Sequence, residues 1–145
     1  MNTATTLAAR VSRALRRTLP GTLFAAMSAR RARRRVVVAV GFTPWKEDFT
    51  RRFFRDEHVV FVDGRRAFRL ARRILAGVDA RVVVWSLRDE AAGLGPADFA
   101  GIETFRVEDG FVRSIGRGLD HAPPWSLCLD ATGLYFDASR PSDLE

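Results

Sequence analysis

Two adjacent carboxylates, Glu108 and Asp109, stand at the end of an apolar run, and a glycine follows them directly. A carboxylate beside an electron-poor carbon can act as a nucleophile or as a general acid or base. Gly110 permits a sharp turn or a close backbone approach. Arg113, four residues after Asp109, could pair with an anionic group of a substrate. These residue types indicate a candidate catalytic site in the stretch VEDGFVRS.

Successive side chains of an extended segment point to opposite sides. Glu108 and Asp109 are therefore not expected to share a proton, and one can be structural while the other faces a ligand. A second interpretation stays open, in which these acids, Arg113 and Arg117 form an ordinary ion-pair network of a loop.

The loop that follows, GRGLDHAPP, has a composition suited to binding an anion. Gly116 and Gly118 leave backbone amides accessible, and Pro123 and Pro124 stiffen the chain. No metal site is predicted, because His58, His121 and Cys128 lie far apart without a carboxylate cluster at ligand spacing. The turn GFTPW is not G-x-G-x-x-G, so no cofactor is predicted either.

The elements that must position these residues alternate between β-branched runs and helical patterns. Thr43 is expected to cap the first of the helices, with Pro44 in its first position. The predicted strands are VVVAVGF, HVVFVDG, RVVVWS and IETFRV, the predicted helices are WKEDFTRRFFRD and RRAFRLARRILAG, and two short strands are predicted around the turn of SLCLDATGLYFD.

This alternation predicts an α/β fold, a three-layer Rossmann-like parallel sheet with helices on both faces. In open parallel sheets, ligands bind beyond the carboxyl ends of the strands. Glu108 and Asp109 directly follow the fourth strand, which is where such a site is expected.

Charge divides the chain into two parts, a basic head over 1–35 and an α/β domain over 36–145. The formal net charge is +7, yet residues 1–35 hold nine arginines and no acidic residue, so the remainder is slightly acidic. The chain has no run of apolar residues long enough to span a membrane. The basic character belongs to the head.

The head contains Leu7, Val11, Leu15 and Leu19 at four-residue spacing, which predicts an amphipathic helix over residues 5–19, ended by Pro20 and Gly21. Such a helix could lie on an anionic membrane surface. Nucleic acid is a weaker candidate partner, because the head nearly lacks aromatic residues that stack on bases. A disordered extension is the remaining alternative. The arginines that would contact lipid are Arg10, Arg13, Arg16 and Arg17.

Three segments taken together, GFTPWK, VVVWS and the run from VEDGFVRS to the terminal RPSDLE, resemble the amino-terminal half of a module from the KpsC-type capsule polysaccharide family. The long last motif, over residues 107–145, carries most of the likeness. Members of this family are β-Kdo glycosyltransferases, each module being built of two Rossmann-like halves.

The resemblance implies a cytoplasmic protein peripheral to the inner membrane, which transfers Kdo from CMP-Kdo to a lipid-linked saccharide acceptor with retention of configuration. By this resemblance, Asp109 is the candidate nucleophile and Glu108 supports it or transfers a proton. Residues implied to bind substrate are Gly110, Arg113, Ser114, Gly116 and Gly118.

Some features depart from the family pattern. Arg117, His121 and Trp125 stand where the family is expected to have apolar or smaller residues. The terminal SDLE has the spacing of a capping box, which opens a helix. We therefore expect the chain to be one half of a module, inactive alone, with the nucleotide-binding half supplied by a second chain.

Overall fold

The computed structural model describes residues 3–112, 124–134 and 141–143; for residues 3–17 and Ala91 it describes the backbone alone. The sheet contains β1 (Val36–Val40), β2 (His58–Val62), β3 (Ala80–Trp85), β4 (Thr104–Asp109) and β5 (Leu127–Asp130). The helices are α1 (Thr3–Ala32), α2 (Glu47–Phe53), α3 (Gly64–Ile74), α4 (Arg88–Ala91) and α5 (Pro96–Phe99), with a 3-10 turn at Pro44–Lys46.

The predicted strands form one sheet in the order β2-β1-β3-β4-β5. Strands β1 to β4 run parallel, and β5 returns antiparallel to β4, with Asp109 opposite Leu127. Every residue of β1 is buried, as a β-branched run between two neighbouring strands should be. The α/β, Rossmann-like fold predicted from the sequence is confirmed. Of the two short strands predicted around the Asp-Ala-Thr-Gly turn, the first is β5, whereas the second falls mainly on residues 135–140, outside the described residues.

Helices cover both faces of the sheet. Helices α1, α3 and α5 pack on one face, where Phe68 is the largest fully buried side chain. The 3-10 turn and α2 pack on the other face, where Phe49 and Phe54 lie against β1, β2 and β3. Alternate residues of each strand supply the two cores, which gives the expected three layers.

The prediction that Pro20 and Gly21 end the first helix is wrong. Helix α1 continues through Pro20 to Ala32. A proline inside a helix loses one backbone hydrogen bond and costs about 3 kcal/mol. Packing outweighs that cost here, because the residues after Pro20 place small side chains in the core beside α3. These core residues are Ala25, Ala26 and Ala29.

The expected start of the second helix is also different. Pro44 opens a 3-10 turn, and α2 begins only at Glu47. The side chain of Thr43 makes no capping hydrogen bond; instead its backbone oxygen accepts from the backbone N–H of Lys46 at 2.9 Å. This short turn directs Lys46 toward the sheet before α2 starts.

Among the helices in the described part of the chain, none is long and apolar enough to cross a membrane.

Candidate functional site

The carboxyl ends of β1 and β3 lie side by side, and the chain leaves them toward opposite faces of the sheet. After β1 it enters the 3-10 turn and α2, and after β3 it enters α4 and α5. A crevice at such a reversal of strand order is the common ligand site of open α/β sheets. We call the space bounded by the ends of β1, β3 and β4 the edge crevice.

Backbone shape at the two strand ends brings the start of α4 close to the end of β1. Gly41, directly after β1, has a φ of 77°, which favours glycine. A Cβ added there would lie 2.5 Å from the Cβ of Arg88 at the start of α4. Ser86, directly after β3, also has a positive φ, of 53°. The Arg88 side chain therefore stands close to the end of β1.

Lys46 is the charged residue that the 3-10 turn delivers to this crevice. Its side chain is buried, with 9% of its surface exposed, and its Nζ lies 3.0 Å from the centroid of the Trp85 indole and 5.0 Å from that of Trp45. Burial lowers the pKa of Lys46 to about 8, assisted by the charge of Arg88 and opposed by the carboxylates of Asp109 and Glu108.

The two carboxylates of the opening motif are the last residues of β4. Val107 packs in the same core as Trp85, and alternation along the strand places Asp109 on that face, toward Lys46. The Oδ1 atom of Asp109 is buried. Glu108 lies on the other face of the strand. The structure thus brings Asp109 and Lys46 to the same side of the sheet.

Gly110 makes the close approach that its position suggests. A Cβ added at Gly110 would lie 2.3 Å from Oγ of Ser126 and 3.0 Å from its carbonyl carbon. The backbone N–H of Gly110 donates to the Ser126 oxygen at 2.8 Å, and the Ser126 hydroxyl accepts from the N–H of Val112 at 3.2 Å. These contacts fix the chain immediately after Asp109 against the segment that leads into β5.

An ion pair on the opposite face stabilises the end of β3. The guanidinium of Arg106 donates to both carboxylate oxygens of Asp89 at 2.7 Å and to the Ser86 oxygen at 2.9 Å. Burial alone would raise the pKa of Asp89, but the hydrogen bonds and charge of Arg106 outweigh burial and hold that pKa below its usual value. The pair thus links β4 to α4 and to the end of β3, next to the edge crevice.

A second carboxylate network fixes the Asp-Ala-Thr-Gly turn after β5. Asp130, which is 2% exposed, accepts hydrogen bonds from the backbone N–H groups of Thr132 and Gly133 at 2.8 and 2.7 Å. Its second oxygen accepts from the N–H of Asp143 at 3.0 Å, and the Asp143 carboxylate accepts in return from Ala131 and Thr132. Residues 130–133 and Asp143 are thus held together by a structural network.

Several predicted site residues cannot be placed. Arg113, Ser114, Gly116 and Gly118 lie outside the described residues, as do Arg117 and His121. Within the described residues, no three histidine, cysteine or carboxylate side chains come close enough to hold a metal ion.

Sequence reasoning missed Lys46 and Trp85 as site residues. Trp85 is buried as a core residue would be, yet the Lys46 ammonium lies against the face of its indole. One signal was available: Lys46 is the one lysine in the 145 residues, whose 24 basic side chains are otherwise all arginines. Lysine and arginine differ in shape and hydration, so this single lysine marks a position that could be singled out for inspection.

Comparisons with known proteins find similarity over part of the chain. Residues 82–145, which contain β4, Asp109 and the Asp130 network, match the model of the family described as "Capsule polysaccharide biosynthesis protein". The chain is 37% identical over 111 residues to the lipopolysaccharide-processing protein LpsZ of Rhizobium meliloti. It is 37% identical over 108 residues to the capsule polysaccharide modification protein LipA of Neisseria meningitidis serogroup A, and equally to that of serogroup B.

These alignments cover most of this chain and a small part of its relatives. The alignment with LpsZ takes in 76% of this chain and 25% of LpsZ, and the alignment with LipA takes in 73% of this chain and 15% of LipA. The family match includes the end of β3 and the whole of β4, and it begins after Lys46. Residues 82–145 of the chain therefore carry a segment of the capsule polysaccharide biosynthesis protein family.

Proposed function

We propose that this chain is one Rossmann-like half of a KpsC-type β-Kdo transferase, which transfers Kdo from CMP-Kdo to a lipid-linked saccharide acceptor. The donor nucleotide would be bound by a second half, supplied by another chain or segment. Without that half the chain should turn over CMP-Kdo negligibly. The relatives are named for lipopolysaccharide processing and capsule polysaccharide modification, which is compatible with such a reaction.

One observation carries the proposal: Asp109 stands at the carboxyl end of β4, on the face of the sheet that Lys46 and Trp85 share. A carboxylate at that edge can approach a sugar bound in the edge crevice. Glu108 lies on the opposite face by strand alternation. This favours Asp109 over Glu108 as the group that contacts the sugar.

In the proposed reaction, the carboxylate of Asp109 attacks the anomeric carbon of Kdo, and CMP leaves with the electron pair of the broken C–O bond. An acceptor hydroxyl then displaces Asp109 from the opposite side and gives its proton to a general base. Two successive inversions retain the configuration of the sugar.

A chimera tests this function, because the chain covers only part of its relatives. Residues 36–145 would replace the matching segment of LipA, and the chimera would be incubated with CMP-Kdo and a lipid-linked acceptor. Incorporation of Kdo that is lost in Asp109→Ala supports the proposal. The matched control is Glu108→Gln, which should retain more activity because Glu108 faces away from Lys46.

If the folded chimera with intact Asp109 incorporates no Kdo although native LipA does in the same assay, the proposed function is wrong. If Asp109→Ala retains the activity of the parent chimera, Asp109 is not the nucleophile and the chain contributes only structure to the transferase.

A second function is favoured by the outer surface of α1: attachment of the protein to an anionic membrane. The buried face of this helix carries small side chains, whereas bulky apolar ones face solvent. The outward residues Leu23, Phe24 and Met27 are 46%, 68% and 71% exposed. An outer helix face of this kind is typical of an interaction surface.

The positive charge of α1 suits binding to anionic lipid. No acidic residue occurs in α1, and Arg30 and Arg31 lie in its last turn. The first half of the helix sequence adds Arg10, Arg13, Arg16 and Arg17. Each basic residue near an anionic surface contributes about 1 kcal/mol to binding. We therefore propose a location on the cytoplasmic surface of the inner membrane, peripheral to it.

Vesicle flotation tests this attachment. The chain should float with phosphatidylglycerol vesicles and remain unbound with phosphatidylcholine vesicles. The double variant Phe24→Ser, Met27→Ser should bind at least ten-fold more weakly, while Phe111→Ser should bind as the parent does. Phe111 is an apt control because it is 75% exposed and lies far along the chain from α1. Equal flotation of all three proteins would contradict attachment through α1.

A further inference from the structure

We infer that Lys46 is the anion-binding group of the edge crevice and that its ammonium receives the carboxylate of a sugar acid. The anion site itself is argued from the burial, contacts and charge environment of Lys46. Its assignment to a sugar-acid carboxylate rests on the proposed function.

The position of the ammonium is fixed before any ligand arrives. Lys46 ends the 3-10 turn after β1, so its backbone is tied to an interior strand of the sheet. Its Nζ lies 3.0 Å from the centroid of Trp85 on β3 and 5.0 Å from that of Trp45. A long side chain held between two indoles loses little further freedom when it binds an anion, which favours affinity.

The ammonium is buried without an ion pair to any described residue. The charges that act on it are the carboxylates of Asp109 and Glu108 on β4 and the guanidinium of Arg88 on α4. Burial lowers the pKa of Lys46 to about 8 in spite of those two acids. A buried charge that lacks a contacting counterion is stabilised when a ligand supplies one.

The chemistry of the proposed reaction specifies which anion that is. In a 2-keto sugar acid, the anomeric carbon carries the carboxylate directly. If Asp109 approaches that carbon, two carboxylates come close to each other, and their repulsion must be offset. Lys46 is the buried cation on the face of Asp109, and Asp109 is the strongest of the charges acting on it. Lys46 is therefore placed to bind the sugar carboxylate beside the attacking group.

Lys46 offers a compact point charge in a chain otherwise rich in arginine, and its three donors can rotate to meet a carboxylate. Cation–π contact with Trp85 partly compensates the ammonium for lost water while no ligand is bound.

The test uses the whole chain and measures binding, so it does not depend on turnover. Free Kdo is titrated into the protein, and the indole N–H signals of Trp45 and Trp85 are followed by NMR. The variants are Lys46→Met, which removes the charge and keeps the length, and Lys46→Arg, which keeps the charge at high pH. Inorganic phosphate serves as a second probe, and the methyl ester of Kdo as an uncharged one.

We expect Kd for Kdo to rise roughly thirty-fold between pH 7 and pH 9.5, because the protonated fraction of Lys46 falls through its pKa of about 8. Lys46→Arg should show no such rise. Lys46→Met should bind Kdo at least ten-fold more weakly than the parent at pH 7. Binding of the methyl ester should be the same in all three proteins.

Each result separates this inference from the proposed function. If Lys46→Met binds Kdo as tightly as the parent does, the role of Lys46 is overturned while the transferase proposal stands. If Kdo fails to bind but phosphate binds in a manner that requires Lys46, the anion site stands and the proposed sugar fails. If neither probe binds the parent, the inference is overturned. Thermal unfolding of each variant confirms that it is folded.

Discussion

The ammonium of Lys46 lies 3.0 Å from the centroid of the Trp85 indole, so the turn after β1 places a buried cation against the end of β3. Alternation along β4 puts Asp109 on the same side of the sheet. This relationship joins three strand ends into one site. It also means that the fold tolerates a charge which, in the absence of a ligand, destabilises it.

Replacing Lys46 should therefore stabilise the protein. The pKa of Lys46 is about 8 in the folded chain and 10.5 in the unfolded chain, so the unfolded chain binds more protons between these values. Stability of the parent should rise as the pH increases from about 8 to 10.5. At pH 7, Lys46→Met should raise the free energy of unfolding by up to about 3 kcal/mol, less what the lost cation–π contact contributed.

Urea unfolding of both proteins at pH 7 and pH 10 measures this effect. Because the chain has one lysine, selective labelling of lysine carbon also gives one side-chain NMR signal, whose titration should have its midpoint near pH 8. A midpoint above pH 10, or a less stable Lys46→Met at pH 7, would contradict burial of the ammonium.

Removing Arg106 should destabilise the chain behind the edge crevice. Arg106→Gln leaves the Asp89 carboxylate, 8% exposed, without its bidentate partner. An uncompensated charge of this kind costs roughly 2–4 kcal/mol of unfolding free energy. Since the folded pKa of Asp89 is lowered, the contribution of the pair is present at neutral pH and is lost as the pH falls through that pKa.

The control for this change is Arg55→Gln. Arg55 pairs with Asp56 at 3.7 Å, and their side chains are 83% and 87% exposed. Exposed pairs contribute between zero and about 1 kcal/mol. Comparable losses in both variants at pH 7, measured by urea unfolding, would show that the Asp89–Arg106 pair is not specially stabilising.

A methyl group at Gly110 should disturb the junction between β4 and β5. In Gly110→Ala the new Cβ would approach the Ser126 backbone to 3.0 Å and its hydroxyl to 2.3 Å, so the chain after Asp109 must shift. Overpacking of this kind costs about 1–3 kcal/mol. Thermal unfolding should show a lower Tm for Gly110→Ala, together with altered NMR signals around Asp109.

Gly95→Ala is the matched control, because a Cβ at Gly95 meets nothing within 4 Å and its φ of −127° suits any residue. Its Tm should stay close to that of the parent. An unchanged Tm in Gly110→Ala would contradict the expected overpacking, because it would show that the Ser126 segment moves to accommodate the methyl group at little cost in stability.

Among the described carboxylates of the family motif, Asp130 should be the one whose replacement lowers the free energy of unfolding most. Its side chain accepts three backbone hydrogen bonds from Thr132, Gly133 and Asp143, and Asp130→Ala removes all of them. The N–H of Gly133 is buried, and leaving a buried donor unsatisfied costs about 1–3 kcal/mol, whereas water can reach the donors of Thr132 and Asp143. Asp130→Asn, which keeps one oxygen acceptor, should lose less stability. Denaturant unfolding of both variants tests this order, and the reverse order would argue against the network.

Much of the fold could be predicted because strand and helix signals are local. The β-branched runs of β1 to β4 and their alternation with helical patterns specify a parallel sheet with helices on both faces. The same reasoning failed at Pro20. A proline does disfavour a helix locally. The packing of Ala25, Ala26 and Ala29 against α3 and β2, which outweighs this effect, could not be known from the sequence.

The sequence by itself determined the carboxylates at the end of β4 and the divergence of Glu108 from Asp109, because both follow from strand length and alternation. Only the tertiary structure decided which groups meet Asp109. Lys46 and Trp85 are separated along the chain and come together because β1 and β3 are neighbours in the sheet, with Val40 opposite Val84. Strand order depends on long-range pairing, and so does the environment that lowers the pKa of Lys46.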